Sequence, residues 1–325
     1  MAGATPAATE GAVPKIELHV HLEGTVRPPR LLEIARRNGM PALPADAYEF
    51  TGFAGFVRTW MATTGALRTA ADFREIVVDY AGEAASHGCV YVEGIFSPVE
   101  RVRRGATWDE VFEGFCDGAA EARERHGVEV RLTPDLSRGG TVDEAMETVR
   151  WCARFRDRGV VGVGLGGPES VPAEGLVGAF RVARDEGLAA VPHAGETEGP
   201  ASVRFALDRL GAVRIRHGTR AVDDPALVAD LAARGTVLDV CLTSNVRIGV
   251  VASLEEHPLP QLVEAGVRCS VSTDDPGILG TDLAREHALA TSLGVGSGAI
   301  WAAALGGALC DDETRARLAL LAGGG

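Results

Sequence analysis

Residues Ile16-Glu17-Leu18-His19-Val20-His21 form a short apolar run in which two histidines stand two positions apart. Side chains of an extended strand alternate between its faces, so His19 and His21 point the same way and two imidazoles can grip one metal ion. A lone His-x-His pair is as readily read as two satisfied core histidines, so the pattern around it has to decide. Seven further runs of strand character follow, at residues 90–96, 128–134, 160–165, 188–193, 213–217, 237–241 and 267–272. Each is followed by a polar or glycine-containing turn and then a helical pattern. The stretches 107–125, 142–158, 171–185, 201–209 and 225–234 space their apolar residues three and four apart, with charges on the other face. Eight such units predict an α/β fold, a (β/α)8 TIM barrel with strands inside and helices outside.

One interval breaks the rhythm. Residues 28–87 separate the first run from the second and carry helical patterns of their own, which predicts a helical lid inserted after the first strand. It holds Phe50, Phe53, Phe56, Trp60 and Met61 in a chain that is 5% aromatic. Core packing and a wall over a substrate mouth both account for that concentration.

The chain has 325 residues, enough for about two average domains or one large α/β domain. Residues 1–13 are rich in Ala, Gly, Thr and Pro and are expected to be a flexible tail, leaving 14–325 as a single barrel domain. With 46% hydrophobic and 24% charged residues and a mean hydropathy of +0.08, the chain reads as soluble and globular. No apolar run reaches the ~18–20 residues of a membrane span. A net charge of −13 repels nucleic-acid phosphates, so neither nucleic acid nor membrane is an expected partner. The N-terminus lacks the basic and apolar segments of a secretory signal, which points to the cytoplasm. The six cysteines include no Cys-x-x-Cys pair, which argues for buried free thiols over a thiolate zinc site or a disulfide framework.

The chemistry lies at the strand ends. The fifth run ends in Pro192-His193-Ala194-Gly195-Glu196, the sixth in Arg214-Ile215-Arg216-His217-Gly218, and the eighth runs into Ser272-Thr273-Asp274-Asp275-Pro276. In a barrel of this kind the C-terminal strand ends meet at one mouth. His19, His21, His193 and Asp274 then make a nitrogen and oxygen set suited to one borderline divalent ion such as zinc, with a position left for water.

These residues also carry a resemblance. His19-Val20-His21-Leu22-Glu23-Gly24-Thr25, His193-Ala194-Gly195-Glu196, Ile215-Arg216-His217-Gly218, Cys241-Leu242-Thr243-Ser244-Asn245 and Ser272-Thr273-Asp274-Asp275-Pro276 together resemble the adenosine deaminase family of the amidohydrolase superfamily, in order from about residue 14 to 293. The resemblance implies a (β/α)8 barrel, one zinc ion per chain and hydrolytic removal of a purine 6-amino group. It makes His19, His21, His193 and Asp274 the zinc ligands, with His21 also close to the substrate. Glu196 matches the family's proton donor to ring N1, which needs a raised pKa. His217 matches the histidine beside the attacking water, able to take its proton and to stabilise charge on oxygen. Asp275 matches the residue that hydrogen-bonds N7, and Gly167 the glycine whose N–H contacts N3.

Two residues depart from the family pattern. Glu23 stands where adenosine-specific members carry an aspartate to the ribose 5′-hydroxyl, and glutamate occurs in adenine deaminases and other relatives. The substrate is therefore expected to be adenosine or a nucleoside with an altered 5′ end, such as aminodeoxyfutalosine, or else a free base or an N6-modified purine; the open glycine turn at 164–169 resembles that of nucleoside-binding members. Arg216 is expected at the surface, the alternative being a contact with a carboxylate at the far end of the substrate. His257 and His287 are expected in solvated or capping positions. Another amidohydrolase reaction and an inactive nucleoside-binding relative are the remaining readings.

Overall fold

The structure, a computed structural model, describes residues 14–41, 44 and 47–321. The tail expected over residues 1–13 lies outside the described residues. All eight expected runs are strands: β1 (Lys15–His21), β2 (Cys89–Ile95), β3 (Glu129–Leu132), β4 (Asp135–Ser137), β5 (Gly162–Gly166), β6 (Ala189–Ala190), β7 (His193–Ala194), β8 (Arg214–His217), β9 (Val237–Val240) and β10 (Arg268–Val271). Pro134 divides one run into β3 and β4, and Pro192 another into β6 and β7, because proline has no N–H to give the ladder. Every pairing is parallel.

The hydrogen-bonded order is β1-β2-β3, β4-β5-β6 and β10-β9-β8-β7. A bridge from Leu132 to Val160 joins the first group to the second. The last run meets the first at a single bridge, Val20 to Asp274, instead of a ladder. There His21 N–H donates to the Asp274 carbonyl at 2.7 Å and Asp274 N–H to the His19 carbonyl at 3.1 Å. The seam of the barrel thus pins Asp274 beside both histidines of β1.

The excursion after β1 divides in two. The helices α1 (Pro28–Arg37) and α2 (Gly52–Thr64) precede α3 (Ala70–Ser86), which opens on a capping box between Thr69 and Asp72. α3 buries Phe73, Ile76, Val77 and Tyr80, and lies along the helix Trp108–His126. A Cβ at Gly114 would come within 2.6 Å of the Ala70 carbonyl, and one at Gly118 within 2.8 Å of the Arg74 carbonyl, so these glycines let the two backbones touch. α3 is therefore the first outer helix of the barrel, and only the segment before it is free to cover the mouth.

Below the mouth the interior is charged. Fully buried Arg214 donates from Nε to Asp239 Oδ2 at 2.7 Å and from Nη2 to Glu93 Oε2 at 2.6 Å. Removing one partner of such a group leaves an uncompensated charge, at about 3–5 kcal/mol. No helix among the described residues is long and apolar enough to cross a membrane.

Candidate active site

His19 and His21 stand at the end of β1, His193 opens β7, His217 closes β8, and Asp274 lies three residues past β10. His217 and Asp274 are the only non-glycine residues with positive φ among the described residues, at +63° and +65°. Left-handed backbone at a histidine or an aspartate costs of order 1–3 kcal/mol and has to be held by its surroundings. The turn has a use in each case. Arg216 and His217, or Asp274 and Asp275, are sequence neighbours that would point to opposite sides of a strand, and the turn lets both reach the interior.

The predicted metal set comes together. His193 Nε2 lies 3.1 Å from both His19 Nε2 and His21 Nε2. Asp274 Oδ1 is 3.2 Å from His19 Nε2 and 3.4 Å from His21 Nε2. His193 Nδ1–H donates to the Leu165 carbonyl at 2.9 Å, which leaves its Nε2 a bare lone pair. Ser244 Oγ–H donates to Asp274 Oδ2 at 2.6 Å, which leaves Oδ1 to face the rings. Desolvation keeps the rings neutral: His19 is lowered to about 3, His21 to about 4, and His193 falls well below the usual range. Burial alone would raise the Asp274 carboxyl, but the imidazoles of His19, His217 and His21 hold it well below the carboxylate range. Lone pairs facing one another at such distances repel unless a cation lies among them, and a nitrogen and oxygen set of this kind suits zinc.

Glu196 sits beside this cluster, its Oε1 3.3 Å from His217 Nε2. Burial, then the charges of Asp274 and Glu169, push its carboxyl well above the usual value. What holds it is Glu169, which the sequence reading passed over. One Glu169 oxygen accepts the N–H groups of Glu196, Thr197 and Glu198 at 3.0, 2.7 and 2.8 Å. The other accepts Gly195 N–H and the Ser202 hydroxyl, both at 2.7 Å. The signal was present in Gly166-Gly167-Pro168-Glu169, where only Gly167 had been singled out.

Asp275 lines the cavity with Oδ1 unpartnered, and burial followed by the charges of Asp274 and Glu23 raises its carboxyl far above normal. Gly24 makes room for it, since a Cβ there would fall 1.7 Å from Asp275 Oδ1. Gly167 also lines the cavity, in a left-handed turn at φ +97°. From α2, Phe53, Phe56, Trp60 and Met61 form one wall, so these residues cover the mouth, whereas Phe50 packs on Phe56.

Three expectations change. Glu23 is not among the residues that line the cavity: it is buried behind Ser97, whose N–H it accepts at 2.8 Å, with Arg101 Nε 3.9 Å away and Oε2 unpartnered. Arg216 is neither at the surface nor free for a substrate carboxylate. It is wholly buried, paired through Nη1 with Asp135 and donating from Nη2 to Thr133 Oγ1 at 2.7 Å. Alternation along β8 puts it inward with Arg214, and Gly164 leaves space, since a Cβ there would meet both Arg216 and Asp135 at 2.1 Å. His257 is buried, not solvated, although its Nδ1 does accept Leu259 N–H at the start of a helix, as a capping residue would. Asp135 is a further residue the sequence reading missed: it lines the cavity and leaves Oδ2 unpartnered.

The chain is similar to known proteins. The adenosine deaminase family model matches residues 14–320. An aminodeoxyfutalosine deaminase from Acidothermus cellulolyticus is 52% identical over 322 residues, covering 94% of this chain and 90% of its own. The crystal structure of an adenine deaminase from Arthrobacter aurescens superposes with a TM-score of 0.91 at 29% identity, covering 96% of this chain and 98% of the other. An amidohydrolase from Burkholderia ambifaria, solved with bound zinc, gives a TM-score of 0.87 at 29% identity over 98% of this chain and 97% of its own.

Proposed function

The chain belongs to the adenosine deaminase family, and from that membership we propose that it is a zinc-dependent hydrolytic deaminase of a 6-aminopurine nucleoside with a modified 5′ end, aminodeoxyfutalosine. The observation that carries the reaction class is the convergence of His19, His21, His193 and Asp274, whose ligand atoms lie within 4.8 Å of one another, beside a buried Glu196 whose carboxyl is pushed well above its usual value by burial and the charges of Asp274 and Glu169. The 52% identical relative carries the choice of substrate.

On this reading His19, His21, His193 and Asp274 hold the zinc ion, which when bound lowers the pKa of water toward neutrality. Glu196, whose carboxyl burial pushes well above its usual value, gives its proton to ring N1 as water adds to C6. His217 stabilises the oxygen that adds; of that water's two protons one returns to Glu196, replacing the one given to N1, and the other goes to the amino group, which leaves C6 as ammonia, and the 6-oxopurine remains. Asp275, its carboxyl likewise raised by burial, donates to the N7 lone pair and fixes the ring. Gly167 offers its N–H to N3 at a place where no side chain stands in the way. The apolar wall of α2 lines the cavity and excludes water from it. Residues 14–325 act as one catalytic unit, which the family match over 14–320 supports. A cytoplasmic location is part of the proposal, supported by six free thiols, five of them buried.

The test is Glu196→Gln, which keeps the shape of the side chain and removes the acidic proton. Full zinc content with turnover reduced by several orders of magnitude supports the assignment. A near-normal kcat removes Glu196 from its role.

A further inference from the structure

We propose that His257, acting through Asn245, fixes the proton of His217 on Nε2 and so makes His217 a hydrogen-bond donor into the site. The chain of hydrogen bonds has a defined start. Leu259 N–H, a backbone donor with no alternative role, donates to His257 Nδ1 at 3.1 Å. Nδ1 of that ring is therefore an acceptor, and the neutral ring carries its proton on Nε2. His257 Nε2–H lies 3.1 Å from Asn245 Oδ1 and donates to it. The Thr219 hydroxyl donates to the same oxygen at 3.0 Å.

Both lone pairs of Asn245 Oδ1 are thus occupied, and an inverted amide would set its NH2 against the His257 N–H. The amide nitrogen accordingly faces His217, with Asn245 Nδ2–H donating to His217 Nδ1 at 3.2 Å. A ring whose Nδ1 accepts keeps its proton on Nε2. That atom lies 3.3 Å from Glu196 Oε1 and 4.0 Å from Asp274 Oδ2, so the N–H faces the space between these carboxyls, where on the proposed function the reacting oxygen is held. Of the two actions open to His217, taking a proton or donating to oxygen, the relay prepares the second.

His257 reaches this ring from outside the site. It does not line the cavity and is buried with Asn245 and Thr219. His257 and Asn245 are positioning residues, and packing alone would require no such polarity.

The test uses the zinc-loaded full chain, with ring-15N NMR of the histidines and steady-state kinetics on His257→Leu, His257→Gln and Asn245→Asp. Glutamine can place an amide N–H where His257 Nε2–H stands; leucine cannot. In the parent and in His257→Gln the His217 proton is expected on Nε2. His257→Leu should lose that bias, with kcat down roughly tenfold or more and KM and zinc content unchanged. Asn245→Asp, which turns an acceptor toward His217 Nδ1, should draw the proton to Nδ1. A parent ring protonated on Nδ1 overturns the proposal, as does an unchanged tautomer and kcat in His257→Leu. The tautomer readout needs no turnover, so it stands or falls apart from the substrate assignment.

Discussion

Replacing Glu169 by glutamine changes no atom that touches the reacting centre, yet it should disable the loop that carries the proton donor. The Glu169 carboxylate accepts four successive backbone N–H groups, from Gly195 to Glu198, and the Ser202 hydroxyl. A glutamine carbonyl can take the three N–H groups that share one oxygen, but its NH2 then faces Gly195 N–H, donor against donor. A buried N–H left unsatisfied costs about 1–3 kcal/mol, and losing the charge from the remaining bonds adds about 1 kcal/mol or more. A loop destabilised by about 3 kcal/mol no longer holds Glu196 in place, which corresponds to roughly a hundredfold in kcat. His193 Nδ1 is anchored separately on the Leu165 carbonyl, so zinc content should hold. Initial rates and metal analysis on the same preparation check both halves. A kcat close to the parent value would refute the claim that Glu169 positions Glu196.

Other substitutions follow from the same geometry. Gly24→Ala puts a methyl group 1.7 Å from Asp275 Oδ1 and should displace that carboxyl, raising KM and lowering kcat by at least about tenfold with zinc retained, read by kinetics and metal content. Arg216→Met leaves Asp135 charged and buried without its partner. It should cost about 3–5 kcal/mol in urea unfolding and leave the ranking of carboxylate-bearing over plain nucleosides unchanged. His257 is lowered to about 4 from an ordinary 6.5 by burial, with His217 adding to the shift. The folded state therefore binds fewer protons than the unfolded chain between these values. Its stabilisation is whole above about pH 6.5 and is lost as pH falls toward about 4, by at most about 3 kcal/mol. The urea midpoint of His257→Gln should fall less than that of the parent between about pH 7 and about pH 4.5.

The strands were legible because each is a short apolar run followed by a polar or glycine-containing turn, and alternation alone put His19 and His21 on one face. The helix starts at Thr107 and Thr141 were equally plain, since each is a threonine followed three residues later by a glutamate. The helix expected over 171–185 begins only at Val177, after a 3-10 turn at Glu174–Leu176, because Pro172 and Gly175 oppose an earlier start. In the excursion, periodicity marked helices but could not say which of them leans on a neighbour. That depended on Gly114 and Gly118, whose contacts lie in another helix. The metal set could be read because its residue types are rare and recur at strand ends. Arg216 and Asp135 could not, since a buried charge is recognised by its partner and these two lie 81 positions apart.

The central claim is that this site removes the 6-amino group of a 5′-modified adenosine. Ammonia release and the ultraviolet change of deamination, followed with zinc-loaded protein on aminodeoxyfutalosine, adenosine, adenine and N6-methyladenosine, test it directly. The account predicts a kcat/KM above about 10⁴ M⁻¹s⁻¹ on aminodeoxyfutalosine, well ahead of the other three. Preferential turnover of adenine would overturn the substrate, and silence across all four with one zinc bound per chain would contradict the deaminase itself.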